Sequence, residues 1–258
     1  MVWRQIQRSN KLTANLAEGQ FSVAESFKNS LEVSLTTKPV EMEPSPHFYG
    51  HDAFEPGLYS RIRQHLPQSE HYGGIGDRTS NKRARKTRLV LPMVPDNLSR
   101  LPGPLKSFWE QATNYFTSVE FLRLALTSYQ PMLARLRPDL INHDQFNVRF
   151  ELLRDATAYG IGPHSDNPKK VMTLLFYLSE GEISESLGTS FYLPNEVGFS
   201  CKKGIHYDYD KFTRLKTCPY APNAILSFLR TDTSFHGVEV IKEENVQRDV
   251  LRWMLWKQ

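Results

Sequence analysis

Hydrophobic residues recur along this chain with two different periods, and the change falls near residue 145. Before it the spacing is helical. Leu58, Ile62 and Leu66 share one face of a segment that starts around Pro56 and is stopped by Pro67. Phe108, Ala112, Tyr115, Phe116, Val119, Leu122 and Leu126 share one face across Leu105 to Thr127, and Pro131 and Pro138 bracket a shorter helix. His47 to Asp52 reads as a short strand-like stretch. The first forty-odd residues, ending in Pro39, Pro44 and Pro46, read as a loosely structured arm with room for one helix. Residues 68–88 are rich in Ser, Gly and charge, which predicts a long loop.

After residue 145 the period drops to two. Phe146 to Leu152 alternates, Val171 to Leu178 is a continuous apolar run, and Leu187 to Leu193, Ala224 to Leu229 and Val250 to Trp256 read as further strands. No internal repeat is visible. The pattern predicts an α+β protein: an arm over 1–46, then one domain over 47–258, with helical support over 53–138 and a jelly-roll core over 145–258.

Composition narrows the class. A chain of 258 residues, 40% of them hydrophobic, is long enough for a large core. No apolar run approaches the roughly 20 residues of a membrane-spanning helix, and Met1 to Asn10 lacks the apolar stretch of a secretory signal. Cys201 and Cys218 form neither a disulfide framework nor a Cys-x-x-Cys site, as for two reduced thiols in a cytoplasmic protein. The net charge of +4 is compatible with an anionic substrate and demands none. Lys82 to Arg88 is the densest basic stretch. It reads first as a solvated loop, with a charged flap near an anionic substrate as the functional alternative.

Chemistry concentrates in His164-Ser165-Asp166, with His236 far downstream in Phe235-His236-Gly237. On an extended segment, residues i and i+2 point to the same face, so His164 and Asp166 can reach one ion. Two imidazoles and a carboxylate hold one face of iron(II) and leave positions open for a bidentate 2-oxo acid and dioxygen. Arg248 follows on the next strand and can anchor an anionic co-substrate; Arg252, also inward on a regular strand, is the alternative. A rival triplet, His206-Tyr207-Asp208, sits in a polar insertion without flanking apolar strands and reads as a decoy that borders the substrate. His51-Asp52 and His143-Asp144 lack the spacing.

With Gly162 to Pro168, Thr173 to Leu178, Gly188 to Tyr192, Ser234 to Val238 and Arg248 in this order, residues 145–258 resemble the Fe(II)/2-oxoglutarate-dependent dioxygenase superfamily, in its prolyl-hydroxylase-like branch. The resemblance implies a double-stranded β-helix, Fe(II) on His164, Asp166 and His236, and 2-oxoglutarate chelating the metal, with ascorbate as a further candidate cofactor. It also implies that Arg248 pairs with the distal carboxylate of 2-oxoglutarate, that Tyr177 donates to the same carboxylate, and that Thr189 borders it. Many relatives carry Ser two residues after this Arg; here the position is Val250. Tyr177 or Thr189 would then supply the second donor. A carboxylate at Asp166, where related halogenases carry a small residue, points to hydroxylation or to an oxidative variant such as desaturation or ring closure.

The expected activity is hydroxylation of a small molecule or glycan precursor, with succinate and CO2 released. A protein hydroxylase of prolyl type, an oxidative nucleic-acid demethylase and a metal-binding jelly roll without catalysis are the competitors. The partners expected are O2 and a small-molecule substrate that an Arg-rich mouth would make anionic. No membrane or nucleic-acid partner is expected. Arg149, Arg154, Tyr159, Arg230 and the insertion around His206 are the candidate substrate contacts; for Arg149 and Arg154 a surface salt bridge competes.

Overall fold

A computed structural model describes residues 22–76, 81–140, 145–201 and 204–258. Helix α1 (Val23–Thr36) opens with a reciprocal cap: Ser22 Oγ accepts from Glu25 N–H, and the Glu25 carboxylate accepts from Ser22 N–H. Its apolar face, Phe27, Leu31 and Leu35, is fully buried. This helix lies within the segment expected to be a loose arm. From Ser22 onward that segment contributes to the main core; residues 1–21 lie outside the described residues.

Strand β1 (His47–Gly50) and helix α2 (Pro56–Gln64) follow, the helix with Leu58 and Ile62 buried as their spacing requires. The loop expected over 68–88 is more ordered than its composition suggests. It holds the short strand β2 (Gly73–Gly74) and helix α3 (Lys82–Thr87); residues 77–80 lie outside the described residues. The reason is a cap the reading missed: Asn81 Oδ1 accepts from the N–H groups of Arg83 and Ala84. Strand β3 (Arg88–Pro92) and the short helix α4 (Pro95–Leu98) come next.

The single helix expected from Leu105 to Thr127 is two, α5 (Gly103–Phe116) and α6 (Val119–Thr127). Ser118 breaks the run by capping α6, its Oγ accepting from Phe121 N–H. The break turns Val119 out to solvent at 64% exposure, although its spacing placed it on the core face. Helix α7 (Gln130–Leu136) completes the helical half.

The remaining strands are β4 (Phe146–Ala156), β5 (Ile161–His164), β6 (Lys170–Tyr177), β7 (Ser184–Pro194), β8 (Phe212–Tyr220), β9 (Ala224–Leu229), β10 (His236–Val238) and β11 (Gln247–Lys257). They form two antiparallel sheets. The larger runs β1-β9-β6-β11-β4-β3-β2 and the smaller β5-β10-β7-β8. This is the α+β architecture that the periodicities predict.

Alternation on β4 and β11 decides what faces where. Leu152, Leu251, Trp253 and Leu255 pack with Phe116, Phe121 and Phe176 in the helix-side core. The intervening residues, among them Leu153, Arg248, Val250 and Arg252, line a cavity on the other face of the large sheet. Trp253 anchors the helix side: it is fully buried and its Nε1–H donates to Phe116 O at 2.8 Å. Trp253→Ala is expected to cost about 3–5 kcal/mol of folding stability, measured by urea denaturation. A loss below about 1 kcal/mol, within the range of a surface substitution, would contradict this packing account.

Candidate metal and co-substrate site

Register brings the two histidines together. β5 and β10 pair with His164 directly opposite His236, and the ring centroids are 4.4 Å apart. The pairing needs glycine at 237, because a Cβ there would stand 2.5 Å from Ile161 O. Each ring is fixed from behind. His164 Nδ1 lies 3.0 Å from Gly162 O, and His236 Nδ1 lies 3.0 Å from Ser234 O. A carbonyl only accepts, so Nδ1 carries the proton in both rings and Nε2 keeps its lone pair. Burial pushes the pKa of both imidazoles below the usual range, well below it for His164, which favours this neutral form.

Asp166 completes the set. Its Oδ2 is 3.7 Å from His236 Nε2 and its Oδ1 is 3.9 Å from His164 Nε2. Among the described residues these three side chains form the cluster able to hold a metal ion, with ligand atoms within 4.8 Å of one another. Lys170 Nζ donates to Asp166 Oδ1 at 2.7 Å and orients the carboxylate. Burial raises the carboxyl pKa, but the Lys170 ammonium beside it outweighs this and holds the group well below the usual carboxylate range. Asp166 Oδ2 is buried with no hydrogen-bond partner, as befits an oxygen that awaits a cation. Two neutral imidazoles, one ionised carboxylate and an orphaned oxygen fit a divalent metal.

Arg248 lies across the same cavity, on the large sheet. It is 2% exposed, with its guanidinium near the faces of Tyr177 (5.4 Å) and Tyr220 (5.3 Å). Its Nε donates to Leu187 O at 2.6 Å and its Nη1 to Asp155 Oδ2 at 2.8 Å. Asp155 is the residue that the sequence reading missed. It stands opposite Arg248 on β11 and opposite Arg88 on β3, a charged row across three strands. Arg88 takes the other side in a fork, Nε to Oδ1 at 2.5 Å and Nη2 to Oδ2 at 2.8 Å. Arg88 is thus not part of a solvated loop. It is buried, lines the cavity and lies over the Tyr159 ring at 4.2 Å.

The other expected residues fall as follows. Tyr177 Oη donates to Thr189 Oγ1 at 2.8 Å, and Thr189 lines the cavity. Burial pushes the Tyr177 hydroxyl pKa up, which keeps it a donor. Val250 lines the same cavity, and Arg252 lines it with its guanidinium on Glu151 (2.5 and 3.2 Å). Arg154 turns to the opposite face, where it forks onto Asp249, so its carbon stem and charge are structural. Arg230 holds the His164–Asp166 segment from behind, its Nε donating to Asp166 O at 3.0 Å. His206 is nearer the centre than its polar surroundings suggested. Its ring lies 4.3 Å from that of His164, and Tyr207 N–H ties the insertion to Pro163 O at 2.9 Å. Asp208 does not join it as a ligand pair. It precedes a short 3-10 turn (Tyr209–Lys211), while the metal-competent cluster draws on Asp166. His143 and Asp144 lie outside the described residues.

Removing the shared carboxylate would leave two buried guanidinium groups without their partner. Asp155→Asn is therefore expected to cost about 3–5 kcal/mol in urea unfolding. A change within about 1 kcal/mol, as for an exposed pair, would show the row to be unimportant to stability.

No family model matches the sequence, and no curated protein matches it. Solved structures do. The chain is similar to a prolyl hydroxylase from Trichoplax adhaerens in complex with a hypoxia inducible factor oxygen degradation domain peptide fragment: 14% identity, 93% of this chain and 95% of that chain covered, TM-score 0.50. It is also similar to an oxidoreductase of the 2OG-Fe(II) oxygenase family from Burkholderia pseudomallei (13% identity, 93% and 92% covered, TM-score 0.47). A third similar structure is HygX from Streptomyces hygroscopicus with nickel and 2-oxoglutarate bound (13% identity, 82% and 83% covered, TM-score 0.43). At these identities the likeness is one of fold, and the chain has the jelly-roll, double-stranded β-helix fold of the prolyl-hydroxylase type.

Proposed function

We propose that the protein is an Fe(II)- and 2-oxoglutarate-dependent oxygenase that hydroxylates a small molecule. The observation that carries this reading is one cavity with the His164–Asp166–His236 cluster at one side and the buried Arg248 at the other. The metal and 2-oxoglutarate supply the oxidising chemistry: O2, 2-oxoglutarate and a C–H bond become an alcohol, succinate and CO2. The chain's own part is to bind, orient and exclude water.

His164 and His236 offer Nε2 lone pairs because their Nδ1 protons are committed to backbone carbonyls. Lys170 leaves Asp166 Oδ2 for the metal by occupying Oδ1. Arg248 holds a carboxylate in a setting where the charge-assisted bond is strong, since its guanidinium is buried against two tyrosine rings. Thr189 is the second donor at this end. Its own oxygen accepts the Tyr177 proton, which leaves the Thr189 hydroxyl proton for the ligand. Apolar Phe228, Val238 and Val250 wall the cavity against bulk water.

Succinate release with Fe(II), 2-oxoglutarate and pooled metabolites tests the reading. A chelator, and each of His164→Ala, Asp166→Ala and His236→Ala, is expected to abolish it; full activity in any one would remove that residue from the ligand set. Arg248→Ala is expected to raise the 2-oxoglutarate concentration for half-maximal rate about tenfold or more. No change there, with a rise in Arg252→Ala, would move the anchor to Arg252. Absence of succinate in every pool would favour a non-catalytic metal-binding protein. Stimulation by proline-rich peptides alone would favour a protein hydroxylase.

A further inference from the structure

Outward from the metal cluster the cavity opens into a second chamber of about 330 Å3, with Arg149, Lys170, His206, Arg252, Met254 and Trp256 in its wall. Its volume suits a small molecule. It shares His164 and Asp166 with the inner cavity, so a ligand in it lies beside the metal cluster.

The wall is strongly biased in charge. Arg88, Arg149, Lys170 and Arg252 face one lining carboxylate, Asp166. Three of these cations are already paired: Arg88 on Asp155, Lys170 on Asp166 and Arg252 on Glu151. Arg149 is not. Among the described residues it forms no ion pair, and its guanidinium lies 4.5 Å from the centre of the Trp256 ring. Lys170 Nζ lies 5.3 Å from the same ring. The two cations flank one indole, Lys170 from the β6 side and Arg149 from the β4 side, and an anion in the chamber would offset their charge.

Orphaned polar atoms mark the same chamber. Trp256 Nε1 and His206 Nδ1 are both buried without a hydrogen-bond partner. The indole N–H is only a donor, so it calls for an acceptor. A buried donor left unmade is costly, and the indole N–H in one wall beside an unpaired guanidinium describes a site that suits an oxygen acceptor. The strand register explains the grouping. Trp256 is opposite Lys170 on β6, and Met254, two residues before it on β11, is opposite Arg149 on β4.

We propose that this outer chamber binds the substrate by an anionic group, a carboxylate or a phosphate, held by the Arg149 guanidinium with Trp256 Nε1–H and His206 as further partners. The substrate is therefore a small anionic molecule whose reacting carbon extends from this anchor toward the metal cluster. The inference rests on the function proposed above and narrows its substrate class. Met254 and the Trp256 ring give the substrate body an apolar surface next to the charged head.

The test is calorimetric titration of the full chain loaded with Mn(II) and an unreactive 2-oxoglutarate analogue, which fills the inner cavity. Two matched pairs serve as probes: glucose 6-phosphate against glucose, and hippurate against its amide. At least one charged member is expected to bind about tenfold or more tightly than its neutral mate, and the pair that does so separates phosphate from carboxylate recognition. Arg149→Ala is expected to erase that difference, Arg149→Lys to restore part of it, and Trp256→Phe to weaken the charged probe while keeping the ring. Binding of the analogue checks the fold of each variant. Equal binding of charged and neutral mates in both pairs overturns the proposal, as does an undiminished preference in Arg149→Ala or a proline-rich peptide that outbinds every probe. If the analogue itself fails to bind the wild-type chain, the proposed function fails; if it binds and the probes show no charge preference, only the substrate class fails.

Discussion

The pairing of β4 with β11 is the constraint on which the rest depends. Along these two strands one face is mainly hydrocarbon and the other carries most of the charge, and the two faces have opposite tasks. Leu152, Leu251, Trp253 and Leu255 bind the helices to the sheet. Arg248, Val250, Arg252 and Met254 look into the cavities with Leu153 and Arg149. A slip of one residue would bury guanidinium groups in the helix core and turn tryptophan and leucine into the cavity. One register therefore fixes both the stability of the fold and the chemistry of its interior.

That interior is lined by Arg88, Arg149, Lys170, Arg248 and Arg252. Buried cations are tolerable only when each has a partner. Asp155 between Arg88 and Arg248, Glu151 with Arg252, and Asp166 with Lys170 provide these partners. The arrangement still leaves fewer carboxylates than cations at the cavity, with the metal charge yet to be added. A co-substrate with two carboxylates and an anionic substrate would bring the balance toward neutrality. The same logic accounts for the fixed histidine tautomers: with Nδ1 tied to backbone carbonyls, the rings need no reorganisation to present Nε2.

Much of this was legible in the sequence because it depends on period and order. The two hydrophobic periods announced helices followed by strands, and the His164-x-Asp166 spacing with His236 picked out the three side chains that the fold brings together. What escaped depends on long-range pairing. Asp155 is one acid among 28 acidic residues in the chain, and nothing local shows that it will stand between two arginines. Ser118 and Asn81 act as helix caps, the first concealed by a continuous helical hydrophobic spacing and the second by a charged stretch that reads as loop. By its polar surroundings His206 reads as part of a loop at the border of the site. Its place beside His164 comes from the tether of Tyr207 to Pro163 and from Gly162, where a side chain would run into Tyr207 O.

The central claim is that one metal and one 2-oxoglutarate meet between His164, Asp166, His236 and Arg248. Anaerobic absorption spectroscopy addresses it directly, since a 2-oxo acid chelated to iron(II) gives a visible charge-transfer band that neither component gives alone. The account predicts a band that needs both, saturates at one equivalent of each per chain and is lost in His236→Ala. A chain that shows no such band, or keeps it in that variant, would contradict it.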